Sequence, residues 1–187
     1  MNAMHLEFLA SPEWAKMLET DLLPWLAVVA DLGDDVLEVG PGPGLTTDLL
    51  RQRTSKLTAL ELDPELSAAL ATRLAGTNVE VIHADATDSG LASNRFSAAT
   101  CFSMLHHVSS PEIQDRLFAE LHRMLRSSGV FIGTDSVDSE AIRMFHVDDV
   151  FVPVDPDTFG ARLEHVGFTN VGIDVAEYQV RFNATKP

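Results

Sequence analysis

The chain has 187 residues, one cysteine and a formal net charge of −15. A domain of this size buries roughly 70% of its unfolded surface, so neither a disulfide nor a metal is needed to hold it together. Acidic residues outnumber Lys and Arg by 28 to 13, and no local basic cluster offsets that field, which argues against a nucleic-acid backbone as a direct partner.

No stretch has the length of a membrane span or the form of a secretion signal, so neither membrane insertion nor export is expected. Cys101 lies in an apolar run and is expected to pack rather than react, in keeping with a reducing, cytoplasmic setting.

Residues 1–32 read as helical, with starts expected at Ser11-Pro12 and near Asp21 to Pro24, where proline suits a first helical position. Trp14, Met17, Leu18, Leu22, Leu23, Trp25, Leu26 and Val29 give apolar faces that need a partner surface. Gly33 ends this segment, and Val36-Leu37-Glu38-Val39 follows as a buried strand of a parallel sheet. Gly40-Pro41-Gly42-Pro43-Gly44 then turns the chain sharply into a helix that begins at Leu45.

The loop discriminates between ligands. A dinucleotide loop, G-x-G-x-x-G, needs glycine at position 45, where this chain has Leu45. Pro41 and Pro43 also lack the N–H groups that a pyrophosphate would use. A ligand without phosphates fits better.

The segment Glu38 to Gly44 resembles the first motif of the class I S-adenosylmethionine-dependent methyltransferases. That resemblance extends in order over residues 35–186, read as the catalytic core. It implies an α/β, Rossmann-like, doubly wound sheet of seven strands in the order 3-2-1-4-5-7-6, the last antiparallel. It also implies that Glu38, Gly40, Pro41, Gly42 and Gly44 hold the methionine end of S-adenosylmethionine, and that residues 1–32 either pack on the core or form a lid, with His5, Phe8 or Trp14 lining the pocket.

A second strand, over Lys56 to Glu65, ends in acids. Glu61 lies seventeen residues past Gly44, about where a nucleotide-binding sheet places its ribose acid. Leu62 is implied to flank the nucleoside, whereas Asp63-Pro64 has the form of a helix cap. A third strand, Val79 to His83, runs into Ala84 to Asp88, which resembles the family's adenine-binding turn. There Asp85 and Ala86 would contact the adenine, against the plainer reading of Asp85 as a turn cap.

Phe96 to Phe102 is a fourth, buried strand. Ser103 to Val108 leaves its carboxyl end, where an open α/β sheet places its ligands. Ser103 is implied to touch the cofactor. His106 and His107 would stand near the transferable methyl as candidate proton acceptors, against a purely loop-shaping role. The Asn/Asp/Ser-Pro-Pro-Tyr/Phe segment of methyltransferases acting on DNA adenine or glutamine amides is absent.

A helix over Glu112 to Arg126 leads to a fifth strand, where Ser128 stands in place of the proline of the family's turn. Phe145, His146 and Phe151 fall where the family commonly builds its acceptor pocket, and Trp14 and His107 join them as candidate substrate contacts. No metal is expected, because no second cluster is spaced to complete a shell around His146, Asp148 and Asp149. Asp155-Pro156 reads as a helix cap, and two strands joined near Ala176-Glu177 close the sheet.

The function expected is methyl transfer from S-adenosylmethionine to a small-molecule acceptor, with a possible homodimer. The alternatives are a catalytically silent cofactor sensor or partner subunit and, further off, a nicotinamide-dependent oxidoreductase.

Overall fold

The computed structural model describes residues 2–187, with Ala3 described by its backbone alone. Seven strands form one sheet: β1 (Asp35–Val39), β2 (Lys56–Glu61), β3 (Val79–His83), β4 (Phe96–Phe102), β5 (Leu125–Ser136), β6 (Thr169–Val175) and β7 (Gln179–Thr185). They lie in the order β3-β2-β1-β4-β5-β7-β6. The first five are parallel, and β7 runs antiparallel to both neighbours. The expected topology is the observed one.

Strands β1 and β4 sit at the centre and are buried on both faces, as a sheet covered on each side requires. One face packs on α6 (Pro111–Met124) and α8 (Pro156–His165), through Leu117, Phe118 and Leu121 and through Phe159 and Leu163. Arg162 links the two helices by an ion pair with Asp115 at 2.8 Å. Asp155 caps α8 as expected, accepting from the Asp157 N–H at 3.1 Å.

The other face is covered by the N-terminal segment. After α1 (Ala3–Leu9), α2 (Pro12–Met17) and α3 (Leu23–Val29) are joined through a π turn over Leu18–Leu22. The helix start expected near Asp21 to Pro24 is found at Leu23, with Pro24 in the first turn of α3, but it follows the π turn without a gap. A π turn already departs from the i→i−4 ladder in which proline's missing N–H leaves a gap, so the rod passes Pro24 without ending. Leu18, Leu22 and Leu26 bury against Val36, Leu57 and Ile132 of the sheet. Arg181 of β7 holds the rod from outside, paired with Asp21 at 2.5 Å and lying 5.4 Å from the Trp25 ring centroid.

An irregularity near the start of β5 corrects one expectation. Ser128 has φ +62°, which a proline ring cannot adopt, so it fills a glycine-like place there. Its N–H donates to the Lys186 carbonyl at 2.8 Å. The remaining helices are α4 (Leu45–Leu50), α5 (Pro64–Arg73) and α7 (Glu140–Phe145).

Gly133, opposite Cys101 in the β4–β5 ladder, has no room for a side chain. A Cβ there would stand 2.0 Å from the Cys101 carbonyl oxygen and 2.6 Å from Phe182. The backbone contact cannot be relieved by a rotamer change, so Gly133→Ala is expected to cost about 2–3 kcal/mol. That corresponds to a fall in Tm of roughly 5–10 °C for a chain of this length. Thermal denaturation followed by circular dichroism checks it.

Candidate functional site

Where β1 ends, the chain turns through Gly40, Gly42 and Gly44 at φ +66°, +54° and +86°. Space beside Gly42 is open to at least 4 Å. The loop is pinned from β2: the Gly40 N–H donates to the Leu60 carbonyl at 2.9 Å, and the Gly42 N–H to Glu61 Oε2 at 3.0 Å. The other oxygen of Glu61 accepts from the Asp63 N–H at 2.9 Å. An ionised carboxylate has about four acceptor positions, so two remain for a ligand. Asp63 itself caps α5, as expected, through the Glu65 and Leu66 N–H groups.

Glu38 lies beneath the loop, fully buried. Its Oε1 accepts from the Thr46 hydroxyl at 2.6 Å, while Oε2 has no partner. Burial raises its carboxyl from the ordinary 4.5 to about 7, against the smaller opposing effect of the Thr46 and Thr47 hydroxyls.

A cavity of about 620 Å³ opens above this floor. Gly40, Pro41, Gly42, Glu61, Leu62, Asp85, Ala86, Ser103, His107 and Trp14 all line it. Glu38 lies below it, and Gly44 is set back beside Leu70 and Arg73. Asp85 does cap its turn, with Oδ1 accepting from the Thr87 N–H and hydroxyl, both at 2.8 Å. Ser103 adopts φ +52° and donates its N–H to the Thr134 carbonyl at 2.8 Å. That turn lays the Met104 side chain against Gly40.

The lining also includes residues that the sequence reading missed. Leu6 and Leu9 of α1 join Trp14, as do Met104, Ile113 and Arg116. The three-residue spacing of Leu6 and Leu9 on one helix face was the available signal. The N-terminal segment thus packs on the sheet and roofs the cavity at once.

Phe145, His146 and Phe151, placed in the acceptor pocket by the sequence reading, are not in this wall, and neither is His106. The end of α7 turns His146 inward, where its Nδ1–H donates to the Ile142 carbonyl at 2.8 Å. Phe151 stacks on the His146 ring, and Phe145 lies on the outside near Phe8.

His106 is held by the buried carboxylate of Asp135, which accepts from its Nδ1–H at 2.5 Å. The same carboxylate accepts from the N–H groups of Leu105 and Ser136, both at 2.7 Å. Around His106 stand His5, His107 and His146, and one ligand atom from each of the four lies within 4.8 Å of the others. The expectation that nothing would gather around His146 is therefore corrected. The partners come from residues 5 and 106–107, far away in sequence.

Burial, then the neighbouring imidazoles His146 and His106, lowers His5 to about 4. Burial, with His106 and His5 next, lowers His107 to about 3. Both rings are neutral at pH 7. Five buried ring nitrogens in this group have no hydrogen-bond partner, and each such atom ordinarily costs about 1–3 kcal/mol.

A family described as "Methyltransferase domain" matches residues 37–133. Curated proteins match over short stretches, among them the following two. The ribosomal RNA small subunit methyltransferase A of Deinococcus radiodurans is 48% identical over 56 residues, 30% of this chain and 19% of that protein. The rRNA adenine N-6-methyltransferase of Saccharopolyspora erythraea is 44% identical over 63 residues, 32% of this chain and 16% of that protein. The chain thus spans less than a fifth of the length of these two relatives.

Among solved structures, a SAM-dependent methyltransferase from Aquifex aeolicus superposes with a TM-score of 0.76 at 20% identity, over 100% of both chains. DhpI in complex with SAH gives 0.75 at 20% identity, over 97% of this chain and 91% of the other. The family match runs from within β1 to within β5, and the glycine loop that resembles the family's first motif lies inside it. The chain belongs to the class I S-adenosylmethionine-dependent methyltransferase family.

Proposed function

We propose that the chain transfers the methyl group of S-adenosylmethionine to a nucleophilic atom, an oxygen in the first instance, of a small apolar-bodied molecule. The observation that carries this reading is one cavity lined by two unlike sets of residues, backbone turns and acids at Gly40 to Gly42, Glu61 and Asp85, and Leu6, Leu9, Trp14 and His107; we read these sets as its two ends.

The first end suits a cationic amino acid joined to a nucleoside. In this reading Glu38 supports the methionine end, Glu61 accepts from the ribose, and Asp85 and Ala86 face the adenine. The second end suits an acceptor body. The sulfonium makes the methyl electron-poor, an acceptor nucleophile displaces it in line, and S-adenosylhomocysteine leaves with the sulfur lone pair restored. The protein's part is mostly placement in a site with little water, where orientation supplies several kcal/mol.

His107 borders the cavity, but both of its ring nitrogens are buried and burial lowers the ring to about 3, too weak a base at neutral pH, so its part is to wall the acceptor end while the acceptor's proton passes to solvent. His106, with Nδ1 given to Asp135 and its ring out of the wall, positions the neighbouring loop instead.

The ribosomal substrates in the relatives' names suggest a second reading. Against it stands the net charge of −15, which repels phosphate. Formation of S-adenosylhomocysteine with a ribosomal RNA fragment, compared with a panel of phenols and hydroxy acids, separates the two.

Calorimetric titration with S-adenosylhomocysteine is expected to show micromolar binding that weakens at least tenfold in Glu61→Ala, a loss of about 1.4 kcal/mol or more. Unchanged affinity in that variant would remove Glu61 from the site. Glu38 gives a pH test. In the ligand-free protein the neutral acid is favoured, so stability falls as pH rises from about 4.5 through about 7. A ligand ammonium favours the ionised acid, so affinity is expected to rise over the same upward step and level off above pH 7. Glu38→Gln should flatten both profiles.

A further inference from the structure

We infer that His5, His106, His107 and His146 form a binding site for one divalent transition ion, zinc by preference, that fastens the N-terminal helix over the cavity. The inference rests on geometry and does not depend on the methyl-transfer reading.

Two of the rings are set in the orientation that a metal needs. A carbonyl can only accept, so the bond to Ile142 puts the proton of His146 on Nδ1 and leaves the Nε2 lone pair. The Asp135 carboxylate, which also accepts from the Leu105 and Ser136 N–H groups, does the same for His106. Carboxylate or carbonyl behind one ring nitrogen, with the other free to ligate, is the arrangement that holds metal-binding histidines in place.

The nitrogens left over are the unpartnered ones. Nε2 of His106, Nε2 of His146, Nδ1 of His5 and both nitrogens of His107 are buried without a hydrogen bond. A purely structural histidine cluster would pair these atoms with one another or with backbone. Here they share one small volume and satisfy nothing.

The size is right within a modest closure. The four ligand atoms lie within 4.8 Å of one another, whereas nitrogens around a tetrahedral zinc ion stand about 3.4 Å apart. Drawing the widest pair in by about 1.4 Å is within reach of turns of the rings. An all-imidazole set favours zinc, copper, nickel or iron over magnesium or calcium, which take oxygen ligands. Two carboxylates stand behind the rings, Asp135 at His106 and Asp149 at 3.8 Å from His107 Nδ1.

The ligands come from three separate segments: α1, the exit of β4, and the end of α7. An ion there would tie α1, with Leu6 and Leu9, to the core and fix His107 at the cavity wall.

The test is zinc binding by the full chain after dialysis against a chelator, read by metal analysis, by competition with a chromophoric chelator, and by the ligand-field spectrum of the cobalt-substituted protein. The expected result is one ion per chain with tetrahedral cobalt bands. Affinity should fall at least hundredfold in His146→Ala and in the milder His5→Gln, and stay unchanged in His165→Ala, whose ring is exposed on α8. Zinc should also slow hydrogen exchange over residues 3–9 in the wild type and not in His5→Gln. A folded wild type that binds zinc no more tightly than His5→Gln, or shows no tetrahedral cobalt spectrum, would overturn the site. Titration with S-adenosylhomocysteine run on the same samples reports the cofactor site separately.

Discussion

One buried carboxylate fixes the carboxyl edge of the sheet. Asp135, at the end of β5, has its side chain closed off from solvent and accepts from the Leu105 and Ser136 N–H groups and from the His106 ring. A carboxylate so buried is tolerable only when its lone pairs are taken up. Taking them up draws the chain leaving β4 across to β5 and closes the turn through Ser103. That turn supplies Met104 to Gly40 and His107 to the cavity wall, so the shape of the cleft follows from how one charge is satisfied.

The cleft floor repeats the theme with a different outcome. Glu61 uses backbone N–H groups on both oxygens and holds the glycine loop in its ligand-ready form before anything binds. Glu38 has one oxygen satisfied and one orphaned, and burial has made it a weaker acid, as befits a group still lacking a partner. One acid pre-forms the loop; the other waits beneath it.

The parts legible in the sequence were those fixed by local chemistry. Strand patterning, the glycine loop, Ser11-Pro12, Asp63-Pro64 and Asp155-Pro156 each depend on neighbours in the chain, and the structure has them as read. Strand order was legible only through resemblance to a family. What sequence could not show was convergence. His5 and His146 are 141 positions apart, and only the docking of α1 against the end of α7, through Asn2 bonds to the Asp149 side chain and the Phe145 carbonyl at 2.8 Å each, brings their rings together. For the same reason Phe145 and Phe151, close to His146 in sequence, sat in the expected pocket but lie outside its wall.

The π turn in the N-terminal rod can be read as a phase correction. In an α-helix each step of four residues overshoots a full turn by about 40°, so Trp14, Leu18, Leu22 and Leu26 would wander by about 120° around the axis. The wider turn over Leu18–Leu22 takes back part of that rotation. One straight rod thereby keeps three leucines on the sheet while Trp14 at its start still meets the cavity. Removing or adding a single residue there would leave the side chains before and after the turn intact and yet turn the roof of the site relative to its floor, which makes the length of this turn a setting for the shape of the acceptor end.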